Sequence, residues 1–166
     1  ITSLVLMFAR PATKGFIPGW FAAEQDASVV IILDNSASMT ATRNGKSYLD
    51  ISKNEVMALL PSFKKETQVI ISQTCPPKII FKGINNPSDI RNSIKYIEPT
   101  NDYDNLWETI NNVIIDEDIN GVIKECIVFS DFMYFPDSSS IKDFKLKNNW
   151  KFYFIKHGKM YKNLGV

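Results

Sequence analysis

An uninterrupted run of apolar residues, Val29–Leu33, constrains the fold of this 166-residue chain more than any other stretch. Most of the run is β-branched, and a strand that is apolar on both faces is typical of the interior of a parallel sheet. Three hard-oxygen side chains follow at every second position, namely Asp34, Ser36 and Ser38. Because parallel α/β sheets bind ligands at the carboxyl ends of their strands, the run predicts a central strand that ends at a binding site.

Strands and helices alternate along the rest of the chain. The predicted strands are Ser28–Asp34, Thr67–Thr74, Lys78–Lys82, Ile123–Ser130 and Trp150–Ile155. Helices are predicted after the N-cap residues Ser47 and Asn86, from about Asn105, and over Ser140–Leu146. The connection through Pro76 and Pro77 is so short that the second and third strands must be antiparallel. The pattern predicts an α/β fold: a Rossmann-like, doubly wound, mostly parallel sheet with one antiparallel edge hairpin, flanked by helices.

Composition limits the possible partners. The chain is 45% hydrophobic, which is enough for one buried core, so a single folded domain is expected. A formal net charge of +1 without a basic run argues against nucleic acid as a partner. Cys75 and Cys126 are too few and too far apart for a disulfide framework or a zinc ribbon. His157 is the only histidine, and without clustered ligands it is predicted to be a surface residue.

The amino-terminal residues allow two interpretations. Ile1–Phe8 is apolar but shorter than the roughly 20 residues that span a bilayer. It is either the end of a membrane helix or the first element of a soluble fold. The residues after it, with glycine, proline and aromatic side chains, are predicted to be a linker. The predicted boundaries are 1–11 for the apolar segment, 12–26 for the linker, 27–158 for the domain and 159–166 for the start of a following segment.

Two further loops are expected beside the Asp34 loop. One precedes the third helix and carries Thr100, Asp102 and Asp104, and the other carries Asp131 directly after a buried strand. Oxygen side chains of this kind suit Mg²⁺, Mn²⁺ or Ca²⁺. The predicted metal ligands come from all three loops: Asp34, Ser36, Ser38, Asp131 and one or more of Asp104, Thr100 and Asp102. Without a metal, Asp34 and Ser36 are turn-forming residues and Asp104 is a helix N-cap.

The pattern Asp34-x-Ser36-x-Ser38 after an apolar strand, with Ser130-Asp131 ending a later one, resembles the von Willebrand factor type A domain. The resemblance covers roughly residues 27–157 and implies a metal-ion-dependent adhesion site made by this motif, a threonine and an aspartate. Asp104 stands where relatives carry the threonine, unless Thr100 takes its role. After Asp131, Phe132 stands where relatives carry glycine, so that loop must turn without the positive-φ freedom of glycine.

A closer resemblance concerns membrane-anchored bacterial proteins of the Bacteroides-aerotolerance (Bat) type. It is based on Ala9-Arg10-Pro11, Leu33–Met39, Ser47–Asp50 and Glu98–Thr100. The resemblance implies that residues 1–11 end a transmembrane helix of the bacterial inner membrane. It also implies a periplasmic domain, a role in stress tolerance, and other proteins as partners, either envelope proteins or proteins with the same domain.

The predicted function is therefore that of a non-catalytic, divalent-metal-bearing domain that binds other proteins. A third carboxylate at Asp104 would strengthen cation binding and weaken the attraction of the ion for an acidic partner, which favours an architectural metal. The first alternative is a structural α/β domain whose degenerate adhesion site binds no metal. The second is a Mg²⁺-dependent hydrolase using Asp34, Asp104 and Asp131. The hydrolase is disfavoured because the sequence has no phosphate-binding motif and no evident general base near these positions.

Overall fold

The computed structural model describes residues 27–102, 106–116, 119, 123–133 and 150–158. The strands, in chain order, are β1 (Ala27–Leu33), β2 (Thr42–Arg43), β3 (Lys46–Ser47), β4 (Gln68–Thr74), β5 (Pro77–Ile84), β6 (Ile123–Ser130) and β7 (Trp150–Lys156). The α-helices are α1 (Tyr48–Leu59), α2 (Pro87–Ile94) and α3 (Leu106–Asp116). Short 3₁₀ turns cover Ala37–Thr40 and Leu60–Ser62.

Five strands form one sheet in the order β5-β4-β1-β6-β7. The central strand β1 pairs in parallel with β4 and β6, and β7 pairs in parallel with β6. The edge strand β5 runs antiparallel to β4. Every residue of β1 is buried, as the apolar run predicted. The predicted fold class is confirmed, and the carboxyl ends of β1, β4 and β6 lie at one edge of the sheet.

Helices cover both faces of the sheet, and alternate residues of β1 divide between two cores. Val29 and Ile31 belong to the core that includes residues of α1 and α2, whereas Val30 and Ile32 belong to the core that includes residues of α3. This alternation follows from the two-residue period of a strand. A strand whose side chains are apolar on both faces is therefore suited to the middle of a sheet that is covered by helices on both sides.

The predicted helix caps are present. The Ser47 hydroxyl accepts a hydrogen bond from the Asp50 backbone N–H at 3.0 Å and donates one to the Asp50 carboxylate at 2.6 Å. Asn86 caps α2 by accepting from the Ser88 N–H at 3.1 Å, with Pro87 at the first helical position. These caps satisfy backbone donors that have no partner inside the helix, and they fix where each helix begins.

The β2–β3 hairpin was not predicted, although its turn sequence is a strong hairpin signal. Asn44 and Gly45 have φ angles of 54° and 77°, as a two-residue hairpin turn requires. Other predictions, namely the helix over Ser140–Leu146 and the segments 1–26 and 159–166, lie outside the described residues. Within the described part of the chain, no helix is long and apolar enough to cross a membrane.

The prediction that His157 lies on the surface is wrong. Its side chain is only 8% exposed, and its ring stacks on those of Tyr48 and Phe129, with centroids 6.1 and 6.2 Å away. Its Nε2 lies 3.4 Å from a carboxylate oxygen of Glu55. The His157 backbone N–H donates to the Ser130 carbonyl and so continues the β6–β7 ladder by one residue. This backbone hydrogen bond places the His157 ring between the rings of Tyr48 and Phe129. The position of His157 in the sequence did not indicate these contacts.

Candidate functional site

Asp34 follows β1 and is completely buried. Its Oδ1 accepts hydrogen bonds from the Ser36 backbone N–H at 2.9 Å and from the Thr74 hydroxyl at 3.2 Å. Its Oδ2 accepts a short hydrogen bond from the Ser130 hydroxyl. The three donors lie at the carboxyl ends of three neighbouring strands, because Ser36 follows β1, Thr74 ends β4 and Ser130 ends β6. Together they hold the Asp34 carboxylate in place. Burial of a carboxylate requires such compensation, because an unpaired buried charge costs several kcal/mol.

Two hydroxyls lie beside this carboxylate. The Oγ atoms of Ser36 and Ser38 are 3.2 Å apart, within hydrogen-bonding distance. The Met39 N–H donates to the Ser36 carbonyl at 3.0 Å and opens the 3₁₀ turn, and the Met39 side chain is fully buried. The buried methionine anchors the loop to the core, so the two serines are presented from a fixed backbone.

Asp131 follows β6 and is 8% exposed. Burial raises the pKa of its carboxyl above the ordinary value, and the negative charge of Asp34 adds to the increase. Hydrogen bonds from Ser38 and from the Met133 N–H, together with the charge of Lys156, act in the opposite direction. Asp34 and Asp131 are therefore close enough to repel each other, and a cation between them would stabilise both charged forms.

The loop before α3 also reaches the site. The Thr100 N–H donates to the Asn35 carbonyl at 2.9 Å, which joins this loop to the Asp34 loop. Asp102 is exposed, and its N–H lies 3.4 Å from the Thr100 hydroxyl. Asp104 lies outside the described residues. Thr100 is thus the candidate from this loop that the structure places against the Asp34 loop.

Phe132 follows Asp131 and has a backbone conformation that favours glycine. Its φ angle is 51°, in the left-handed region that costs about 1–2 kcal/mol for a residue with a Cβ atom. Its N–H donates to the Ser130 hydroxyl at 2.9 Å. Its ring is buried and packs edge-to-face on Phe154, with centroids 5.8 Å apart. Aromatic burial offsets the backbone strain, so the loop keeps its turn without glycine.

Sequence reasoning missed three residues that build the site: Ser130, Thr74 and Asn35. The first two end β6 and β4 and could have been expected from the topology, since parallel strands end at the same edge. Ser130 directly precedes Asp131, a predicted metal ligand. A single hydroxyl at the end of a strand is nevertheless weak evidence for a role in a site. Asn35 gave no signal, because its partners are about 40 to 63 residues away in sequence.

The donor set determines which ion the site suits. In the parts of the chain that are described, no group of three or more His, Cys, Asp or Glu side chains could hold a metal. The oxygen atoms that converge belong to two carboxylates and two serine hydroxyls: Asp34, Asp131, Ser36 and Ser38. A set of charged carboxylate and neutral hydroxyl oxygens suits Mg²⁺ or Mn²⁺. Zn²⁺ is not favoured, because it prefers thiolate and imidazole ligands, and this set contains neither.

This fold agrees with the comparison against known families. The sequence model of the von Willebrand factor type A domain matches residues 29–133, which is more than half of the chain. The protein therefore belongs to the von Willebrand factor type A domain family. Domains of this family are generally non-catalytic and mediate interactions with other proteins.

Two solved structures are similar to this chain at low sequence identity. Proximal thread matrix protein 1 from the mussel byssus is similar over 83% of this chain and 37% of its own, with a TM-score of 0.62 and 16% identity. The type V pili tip protein Mfa5 from Porphyromonas gingivalis is similar over 64% of this chain and 20% of its own, with a TM-score of 0.48 and 15% identity. This chain thus spans well under half of either protein. The comparison with curated protein sequences finds no match.

Proposed function

We propose that this domain binds a divalent cation, Mg²⁺ or Mn²⁺, at the edge where β1 and β6 end, and that it binds other proteins there without catalysis. The observation that carries the proposal is the pair of buried acidic side chains, Asp34 and Asp131, together with adjacent serine hydroxyls. Such a cluster of oxygen donors has excess negative charge that a cation would neutralise.

Each residue would have a distinct role. The hydroxyls of Ser36 and Ser38 and the carboxylate of Asp131 would hold the ion. Asp34 already accepts three hydrogen bonds, so it would act chiefly through its charge and by orienting Ser36. A bound ion would supply an electrophilic position for an oxygen atom of a partner protein. Thr100 would complete the edge from the neighbouring loop.

One observation favours a second candidate, a structural domain that binds no metal. The carboxylate of Asp34 has hydrogen-bond partners on both oxygens within the protein, so this group does not require an ion to compensate its burial. Asp131 is the group on which the two candidates differ. It is buried, its carboxylate accepts from the Met133 N–H at 3.2 Å, and its negative charge adds to that of Asp34, which a bound cation would offset.

Isothermal titration calorimetry with Mg²⁺ and Mn²⁺ tests the proposal directly. We expect a single site with micromolar to millimolar affinity, the range of oxygen-ligand sites with few charges. The matched control is Glu66→Gln, which removes an exposed carboxylate just before β4, at the opposite edge of the sheet, and is expected to leave the affinity unchanged. Absence of binding heat at millimolar metal would contradict the proposal and favour the metal-free structural domain.

We also propose that residues 1–11 end a transmembrane helix and that the domain lies on the periplasmic side of a bacterial inner membrane. Support comes from the apolar Ile1–Phe8, followed by Ala9-Arg10-Pro11 as in proteins of the Bat type. A stress-related role in the envelope belongs to the same proposal. Alkaline carbonate washing of membranes from cells that make the full-length protein tests the anchor. We expect the protein to stay in the pellet, and its release into the supernatant would contradict anchoring.

A further inference from the structure

We infer that Asn35 is a positioning residue that holds three loops of the site in register, so that its side chain sets where the Thr100 loop lies relative to Asp34. This role rests on the proposed function. Asn35 is not a predicted metal ligand, but it would determine how the loops that carry the ligands are arranged. Asn35 is 1% exposed and stands between Asp34 and Ser36.

The acceptor half of the side chain binds the end of β4. Its Oδ1 accepts from the Cys75 N–H at 2.8 Å and from the Thr74 N–H at 3.2 Å, and the Thr74 hydroxyl oxygen lies 3.3 Å away. The same hydroxyl lies 3.2 Å from Asp34 Oδ1. The end of β4 is thereby joined to two consecutive residues of the Asp34 loop.

The donor half binds the end of β4 again and also reaches a second part of the chain. Its Nδ2 donates to the Cys75 carbonyl at 2.7 Å and to the Glu98 carbonyl at 3.0 Å. The backbone carbonyl of Asn35 accepts from the Thr100 N–H at 2.9 Å. Asn35 thus contacts the Glu98–Thr100 segment through its side chain and its main chain at once.

The amide is suited to this task because it offers acceptor and donor atoms on opposite sides of one planar group. Asn35→Ala would leave the Cys75 N–H and the Glu98 carbonyl without these partners. Asn35→Asp would keep the acceptor half and place a carboxylate oxygen opposite two carbonyls. It should therefore loosen the Glu98–Thr100 segment, whereas the end of β4 loses the bond to the Cys75 carbonyl but keeps the N–H bonds of Thr74 and Cys75 to Oδ1.

Asn85 provides a matched control at the opposite edge of the sheet. It is also a buried asparagine, and its Nδ2 donates to the carbonyls of Leu60, Phe63 and Lys64 at 2.9–3.2 Å. Asn85→Ala should lower the melting temperature much as Asn35→Ala does, because similar hydrogen bonds are lost. None of the hydrogen bonds of Asn85 given above involves Thr100 or the Asp34 loop.

The test is amide hydrogen exchange, read by NMR in metal-free protein, combined with Mn²⁺ titration. In Asn35→Asp we expect the Thr100 amide to exchange about tenfold faster, the equivalent of about one lost hydrogen bond, with the Cys75 amide unchanged. Asn35→Ala should accelerate both amides, and Asn85→Ala neither. Mn²⁺ affinity should fall about tenfold in Asn35→Ala and remain at the wild-type value in Asn85→Ala. Asn35→Asp is read by hydrogen exchange alone, because its added negative charge also attracts the ion.

The outcomes separate this inference from the proposed function. Unchanged Thr100 exchange in both Asn35 variants would overturn the positioning role, whatever the wild type does with metal. Equal acceleration in Asn85→Ala would also overturn it, because the effect would then reflect general loss of stability. If the wild type bound no Mn²⁺ while Thr100 exchange rose as expected, the positioning role would stand and the metal proposal would fail.

Discussion

Alanine in place of Asp34 is expected to weaken Mg²⁺ and Mn²⁺ binding at least about 100-fold, to the limit of detection by calorimetry. The substitution removes one of the two negative charges that would attract the ion. It also leaves three donors without their acceptor: the Ser36 N–H and the hydroxyls of Thr74 and Ser130. Because the Ser36 N–H bond holds the loop, the serine hydroxyls would lose their orientation as well.

The variant Asp34→Asn tests the contribution of the negative charge of Asp34 separately from that of the size and shape of its side chain. It keeps one carbonyl oxygen for the Ser36 N–H and nearly the same volume, so the fold should be retained while the charge is lost. We expect it to weaken Mn²⁺ binding by at least about tenfold. Affinity within about twofold of wild type in both Asp34 variants would place any metal elsewhere and contradict the proposed site.

Replacing Phe129 with alanine is expected to lower the free energy of unfolding by about 3–5 kcal/mol, the usual cost of removing a buried aromatic ring. Phe129 is fully buried at the end of β6, and its ring stacks on His157. Its carbonyl accepts from the Asp34 N–H at 3.0 Å. The resulting cavity would therefore lie directly beneath the site. Urea denaturation monitored by circular dichroism measures the change.

Phe154→Ala is the control for that experiment. Phe154 lies on the edge strand β7 and is 48% exposed, and its ring packs on Phe132 and Phe152. Partial exposure means that less apolar surface returns to water, so we expect a loss of only about 1–1.5 kcal/mol. Equal losses in the two variants would show that the core beneath the site is not the main source of stability at this end of the sheet.

The strands and the edge that carries the site were predictable because they depend on local patterns. β1 and β6 contain the continuous apolar runs Val29–Leu33 and Cys126–Phe129, and such runs have one stable place in a doubly wound sheet. Once two parallel strands are assigned, their carboxyl ends must lie together, which is why Asp34 and Asp131 were expected to be neighbours. The caps at Ser47 and Asn86 were predictable for the same reason, since their partners lie within three residues.

Residues whose roles depend on distant contacts were not predictable. Glu125 is a charged residue within β6, yet it is fully buried, and burial raises the pKa of its carboxyl, with Lys151 and Tyr153 partly opposing the increase. The burial of His157 depends on two aromatic rings from other elements. Asn35 stands at one of the unspecified positions of the Asp34-x-Ser36-x-Ser38 pattern. In each case the deciding partners come together only in the folded chain.

The buried ring of Phe132 has a consequence for how fast a ligand can be captured. The turn that presents Asp131 is fixed by an aromatic side chain packed on Phe154, whereas a glycine would leave it free to sample other conformations. Moving this loop would require pulling the ring out of the core. The Asp131 turn is thus preorganised, and capture of the proposed ion should proceed in one kinetic phase, with no slow rearrangement of this turn before or after contact.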